Sequence, residues 1–127
     1  MITAQSLAAL LGEGRFDLSS EAACQAGIET FLAARLPMGC GLAREHVLGP
    51  NERPDFMVDG RLLVEVKVHG APRRAIERQL MRYADYRDVE ALILATNVSM
   101  RMHRAPAFRL IGPGKPLFYV PLGRAWM

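Results

Sequence analysis

Residues 53–68 read Arg-Pro-Asp-Phe-Met-Val-Asp-Gly-Arg-Leu-Leu-Val-Glu-Val-Lys-Val. Asp59-Gly60 is a turn signal between two extended runs, Arg53 to Val58 and Arg61 to His69. Side chains on a strand alternate between faces, so Glu65 and Lys67 share one face and Val64, Val66 and Val68 the other. Loop length decides what joins them. A two-residue turn at Asp59-Gly60 pairs Val58 with Arg61 and puts Phe56, not Asp55, on the face of Glu65. A three-residue loop, Val58-Asp59-Gly60 with Gly60 left-handed in a bulge, pairs Met57 with Arg61 and Phe56 with Leu62. Phe56, Leu62, Val64, Val66 and Val68 then form an apolar face. Asp55, Glu65 and Lys67 form the opposite face, with Asp55 diagonal to Glu65. The hydrophobic pattern selects this odd-length loop, because a one-residue slip inverts every side chain.

Two carboxylates held that close repel each other, and they need a shared cation or a raised pKa. Oxygen donors favour Mg²⁺ or Mn²⁺. Such an ion can activate a water and neutralise charge on a phosphate, with Lys67 orienting the water or steadying developing charge. A solvated strand face carrying a cross-strand ion pair is the competing reading of the same residues.

Outward from this hairpin, Thr3 is placed to cap a short helix over Ala4 to Leu11 with Gly12 as its stop. Ser19 or Ser20 caps a second helix, Glu21 to Leu36, ended by Pro37 and Gly39, with Ile28, Phe31, Leu32 and Leu36 as its apolar stripe. Gly41 to Leu48 reads as a strand with Leu42 and Val47 as apolar points, followed by a turn at Gly49-Pro50-Asn51. Ala71 to Tyr86 reads as a helix with Pro72 in its first turn. Ala91 to Ala95 is wholly apolar and reads as a buried strand. Phe108 to Ile111 and Leu117 to Val120 are short strands of a small C-terminal extension, while Met100 to Arg104 has no clear pattern. The expected architecture is one α/β domain over residues 1–127, with an αβββαβ core: a mixed central sheet flanked by helices.

Pro54-Asp55, nine residues, then Glu65-Val66-Lys67, on a hairpin after a helix and strand, resembles the PD-(D/E)XK nuclease superfamily from about Ser20 to Thr96. The resemblance implies a restriction-endonuclease-like core and cleavage of DNA phosphodiester bonds with Mg²⁺ or Mn²⁺. It also implies metal binding by Asp55, Glu65 and the backbone carbonyl of Val66, with Lys67 catalytic. Similar nucleases often supply a further acid from the first core helix. Glu21, Gln25, Ile28 and Leu32 lie on one stripe, so Glu21, placed over the polar face of the hairpin, is that candidate with Gln25 beside it. A carboxylate favoured by the helix dipole is the alternative reading. Glu45 is a weaker candidate.

Within that superfamily the chain resembles the small RecB-like or Holliday-resolvase-like nucleases, and Gln79 and Tyr83, four apart on the next helix, resemble the Q-x-x-x-Y motif of the RecB-like ones. There the pair supports the active site and substrate, although Tyr83 can equally pack with Ile76 and Leu80. Only two cysteines are present, too few for the iron–sulfur subgroup. Arg74, Arg78 and Arg82 form a ridge suited to tracking nucleic-acid phosphates, or simply a solvated basic face.

Composition is compatible with this reading without demanding it. The net charge of +3 and pI near 9.2 are mildly basic, with arginines crowding Arg73 to Arg87 and with Arg101, His103, Arg104 and Arg109 later. Cys24 and Cys40 form no metal-binding pair and read as reduced thiols of a cytoplasmic protein. The apolar run Leu7 to Leu11 is too short for a signal or a membrane span. Gly112-Pro113-Gly114-Lys115 lacks the spacing and the Ser or Thr of a phosphate loop. His46, His69 and His103 have no metal-ligand spacing, and no Ser-His-Asp order is recognisable. The expected partner is DNA, with a homodimer compatible with one small site that cuts one strand at a time. No ATPase motif is present, so any helicase, phage or repair partner would be a separate chain. A non-catalytic nucleic-acid-binding or assembly module of the same fold is the alternative function, and a plain structural domain is the third.

Overall fold

Val64 and Val66 lie at the centre of a six-stranded mixed sheet in the computed structural model, which describes residues 1–100 and 108–123. The order is α1 (Ala4–Glu13), α2 (Glu21–Arg35), β1 (Leu42–Arg44), β2 (Phe56–Val58), β3 (Leu62–Lys67), α3 (Arg73–Ala84), β4 (Ala91–Thr96), β5 (Phe108–Ile111) and β6 (Lys115–Pro121). In space the strands run β1-β2-β3-β4-β6-β5. β1, β2 and β3 pair antiparallel, β3, β4 and β6 parallel, and β5 returns antiparallel to β6. Arg101, His103 and Arg104 lie outside the described residues.

The first two helices each begin where a side chain meets an orphan N–H. Thr3 Oγ1 accepts from Ser6 N at 3.0 Å and Ser20 Oγ from Ala23 N at 3.0 Å. The first helix runs past Gly12 and stops at Gly14, whose N–H closes on Leu11 O. The second ends at Arg35, because Pro37 forces Leu36 out of the helical region. Pro72 precedes α3, where its missing N–H costs nothing.

Leu7, Leu11, Cys24, Ile28 and Leu32 from α1 and α2 pack on Phe56, Val58, Leu62, Val64 and Val66 on one sheet face. Ile76, Leu80 and Tyr83 from α3 pack on Met57, Leu63, Leu92 and Leu94 on the other. Both faces of β4 are therefore covered, which is why it is apolar at nearly every position. This is a mixed sheet flanked by helices, as the element order implied. The C-terminal strands differ from expectation. They are no extension: β6 docks parallel to β4 and completes the same sheet, and its strand begins two residues earlier than the apolar pattern indicated.

The hairpin register also differs from expectation, by two residues. Phe56 pairs with Val64, Met57 with Leu63 and Val58 with Leu62, so the loop is Asp59-Gly60-Arg61 rather than Val58-Asp59-Gly60. Burial is the cause. Val58 is fully buried and stays in the ladder opposite buried Leu62, whereas Arg61 is drawn outward to Glu90, Asp59 and the Ile2 carbonyl. The loop remains odd in length, so the expected division into faces survives. Asp59 (φ +55) and Gly60 (φ +66) both take left-handed geometry, and Asp59 ties the turn to the N–H of Gly41 at 2.9 Å. The first strand is shorter than its pattern indicated. It ends at Arg44, Glu45 turns left-handed (φ +49), and Val47 is exposed rather than an inward apolar point.

Candidate functional site

β2 begins only at Phe56, and one step beyond the ladder Asp55 stands opposite Glu65. This is directly across, not diagonal, as a consequence of the shifted register. The two carboxylates interlock with the backbone. Glu65 Oε1 accepts from the Asp55 N–H at 3.1 Å, and Asp55 Oδ2 accepts from the Val66 N–H at 2.7 Å. Asp55 thus takes over an N–H that the truncated β2 no longer meets with backbone. Glu65 is 2% exposed, and its Oε2 lies 3.3 Å from Lys67 Nζ.

The second helix does not lie over the polar face of the hairpin, contrary to the expectation for Glu21 and Gln25. It packs on the apolar face, and these two side chains reach the site around the end of the short β2. Gln25 Nε2 donates to Asp55 Oδ1 at 3.0 Å, while Gln25 Oε1 accepts from Arg44 Nη2 at 3.1 Å. Glu21 Oε1 accepts from the Val68 N–H at 3.3 Å. Arg44 was not legible as a site residue. It stands over the Phe56 ring, pairs with Glu29 at 3.1 Å, and is joined to Asp55 through Gln25.

Burial and mutual repulsion dominate the electrostatics. Desolvation pushes Asp55 up to about 6, a rise that Glu21 adds to and that the Val66 N–H, Lys67 and Arg44 oppose. Desolvation and then the charge of Asp55 push Glu65 up to about 8, against the pull of Lys67. Gln79 Nε2 donates to the Tyr83 hydroxyl at 3.0 Å. Tyr83 is 1% exposed, and burial followed by the negative charge of Glu65 pushes its hydroxyl well above the ordinary range. The pair therefore flanks the acidic site from α3, and Tyr83 also packs in the core with Ile76 and Leu80.

The arginine ridge divides. Arg82 is bound to Glu52 at 2.9 Å. Arg74 and Arg78 are exposed and line a trough of about 430 Å³ between α3 and β5, with Met81, Arg109 and Leu110, on the flank of the helix away from Gln79. Glu45 is exposed in the bend after β1 and joins no acidic or metal-ligating cluster among the described residues. Lys115 Nζ donates to the Tyr86 carbonyl, which makes the Gly112–Lys115 segment a structural turn. Both cysteines are free thiols. Among the described residues no helix is long and apolar enough to cross a membrane. Among them, too, no three His, Cys, Asp or Glu side chains stand together as a ready-made metal cage. No family model, curated protein or solved structure matches this chain.

Proposed function

We propose that the chain is a nuclease with a restriction-endonuclease-like core that hydrolyses DNA phosphodiester bonds using Mg²⁺ or Mn²⁺. The observation that carries this reading is the Asp55–Glu65 pair: two carboxylates interlocked with each other's backbone, both raised in pKa by burial, with Lys67 beside Glu65. Ionising both members of this buried pair without a cation is expensive, which is why burial holds a proton on Glu65 in the metal-free protein. The effective cost of desolvating a charge is on the order of several kcal/mol per ion, and Lys67 offsets only part of it.

The donor set fits a hard divalent cation. Asp55, Glu65 and the Val66 carbonyl are oxygen donors, and three protein donors leave room for the waters that Mg²⁺ retains. When bound, the ion would lower the pKa of a water and stabilise charge on the scissile phosphate. Each neighbouring residue has a task that its position permits. Gln25 holds one oxygen of Asp55 while the Val66 N–H holds the other, so the carboxylate cannot rotate. Lys67, partly exposed, can meet the phosphate or the attacking water. Gln79 fixes the Tyr83 hydroxyl on the α3 side of the acidic pair. Arg74 and Arg78 offer phosphate contacts only to a substrate that passes over the crest of α3.

Cleavage of labelled single-stranded, double-stranded and branched DNA, with Mg²⁺, Mn²⁺ or EDTA, tests the reading. Metal-dependent cleavage that Asp55→Asn and Lys67→Ala each reduce at least about a hundredfold, with helical content retained, supports it. DNA binding without cleavage would replace it with the non-catalytic module, and neither binding nor cleavage would remove both.

A further inference from the structure

Beyond β3 the chain turns sharply, and two successive residues, His69 (φ +62) and Gly70 (φ +72), take left-handed geometry. Histidine is strained there and needs compensating contacts. Three are present. The His69 N–H donates to Asn97 Oδ1 at 2.9 Å, Asn97 Nδ2 meets His69 Nδ1 at 3.2 Å, and His69 Nε2 lies 3.0 Å from the Leu18 carbonyl. A carbonyl only accepts and an amide NH₂ only donates, so one neutral tautomer, protonated on Nε2, satisfies both ring contacts.

The clasp joins three segments. Asn97 directly follows β4, whose Thr96 Oγ1 also donates to the Lys67 carbonyl at 2.6 Å. Leu18 belongs to the connector that enters α2, two residues before the Ser20 cap. Glu21, the first residue of α2, takes the N–H of Val68, the residue immediately before His69. The entry to α2 is therefore held against the end of β3 at two adjacent points, one through Glu21 and one through the His69 ring.

We propose that His69 is a positioning residue of the acidic site: with Asn97 it pins the Leu18 connector and so sets how close Glu21 stands to the Asp55–Glu65 pair. This rests on the cation reading given above. It differs from a plain loop clip in that loss of the ring propagates to cation affinity.

Three variants separate backbone strain from the ring contacts. His69→Gly relieves the left-handed strain and removes the ring. His69→Asn tolerates left-handed geometry and can still face Asn97, but falls short of Leu18. His69→Gln places an NH₂ near the position of Nε2 and can still donate to Leu18. The readouts are amide hydrogen exchange and calorimetric titration with Mn²⁺, on the full chain without DNA. In His69→Gly and His69→Asn, the Val68 amide and residues 18–22 should exchange about tenfold faster, with β4 and α3 unchanged, and Mn²⁺ affinity should fall about five- to tenfold. His69→Gln should stay within about threefold of the parent on both measures, as a retained Leu18 contact requires. Faster exchange at Val68 with unaltered Mn²⁺ affinity would reduce His69 to a loop clip and overturn the proposal, as would unchanged exchange in His69→Gly. If the parent protein itself binds no Mn²⁺, the cation reading fails at its source, and that outcome is distinct from a failure seen only in the variants.

Discussion

At Glu65 the environment favours the neutral acid, and this has a sign that can be measured. A carboxyl whose folded pKa is raised, here to about 8 from an unfolded value near 4 to 5, binds its proton more tightly when folded. Its contribution to stability is fully present below the unfolded pKa and is lost as pH rises through the folded one. The metal-free protein should therefore lose stability from this source between about pH 5 and 8, with Asp55 contributing in the same direction. Glu65→Gln mimics the neutral acid. It keeps an oxygen for the Asp55 N–H and gives up only the contact with Lys67. At pH 8 without metal it should raise the melting temperature by about 3 °C or more, roughly 1 kcal/mol for a chain of this size, while abolishing Mn²⁺ binding. A melting temperature lowered at pH 8 would refute this account of Glu65. Asp55→Asn should do the opposite. Both Asp55 oxygens are occupied by donors, and an asparagine turns its NH₂ toward one of them. The expected loss is about 1–3 kcal/mol, read from denaturant midpoints. Mn²⁺ competes with protons at this pair, so its affinity should rise with pH across about 6 to 8. A flat titration over that range would show that neither carboxylate is a ligand.

The hairpin is the element on which the site depends. Gly60 has φ +66 with open space around a Cβ, so Gly60→Ala meets no clash and isolates the backbone cost, about 1 kcal/mol. A chemical denaturation midpoint unchanged in that variant would contradict the left-handed assignment. The odd loop length was readable in the sequence because alternation has a period of two, and only one parity puts Phe56 with the valines. The finer register was not readable. Shifting the pairing by two residues leaves every side chain on its face, so hydropathy cannot detect it. What decides is Arg61, whose partners Glu90 and Ile2 are distant in sequence. Arg44 escaped notice for the same reason: its link to Asp55 runs through a glutamine on another element. Glu21 and Gln25 were identified from their helical stripe, but their route around the end of β2 follows from how short that strand is.

For the whole molecule, the informative surprise is the C-terminal pair of strands. Local pattern located both β5 and β6, yet nothing local distinguishes an appended hairpin from one inserted beside β4. The insertion has a consequence. β6 covers the edge of β4, and Leu117 and Val120 are buried in opposite cores. A chain terminated after Gly112 should lose its cooperative thermal transition, and circular dichroism would detect this. A truncated chain melting like the parent would restore the picture of a dispensable extension.

The burial of Cys24 leads somewhere different. Its thiol is fully enclosed one turn below Glu21, and burial together with the charges of Glu21, Asp17 and Asp55 pushes its pKa up to about 11. Such a thiol is almost wholly un-ionised at neutral pH, and only the thiolate attacks a disulfide reagent. Cys40 is half-buried beside the Asp59 carboxylate. Exposure to a coloured disulfide should therefore produce two phases, a prompt one from Cys40 and a slow one paced by how often α2 lifts from the sheet. The unmodified chain carries its own clock for that motion, and Mn²⁺ should slow it if the acidic site and the helix entrance close together.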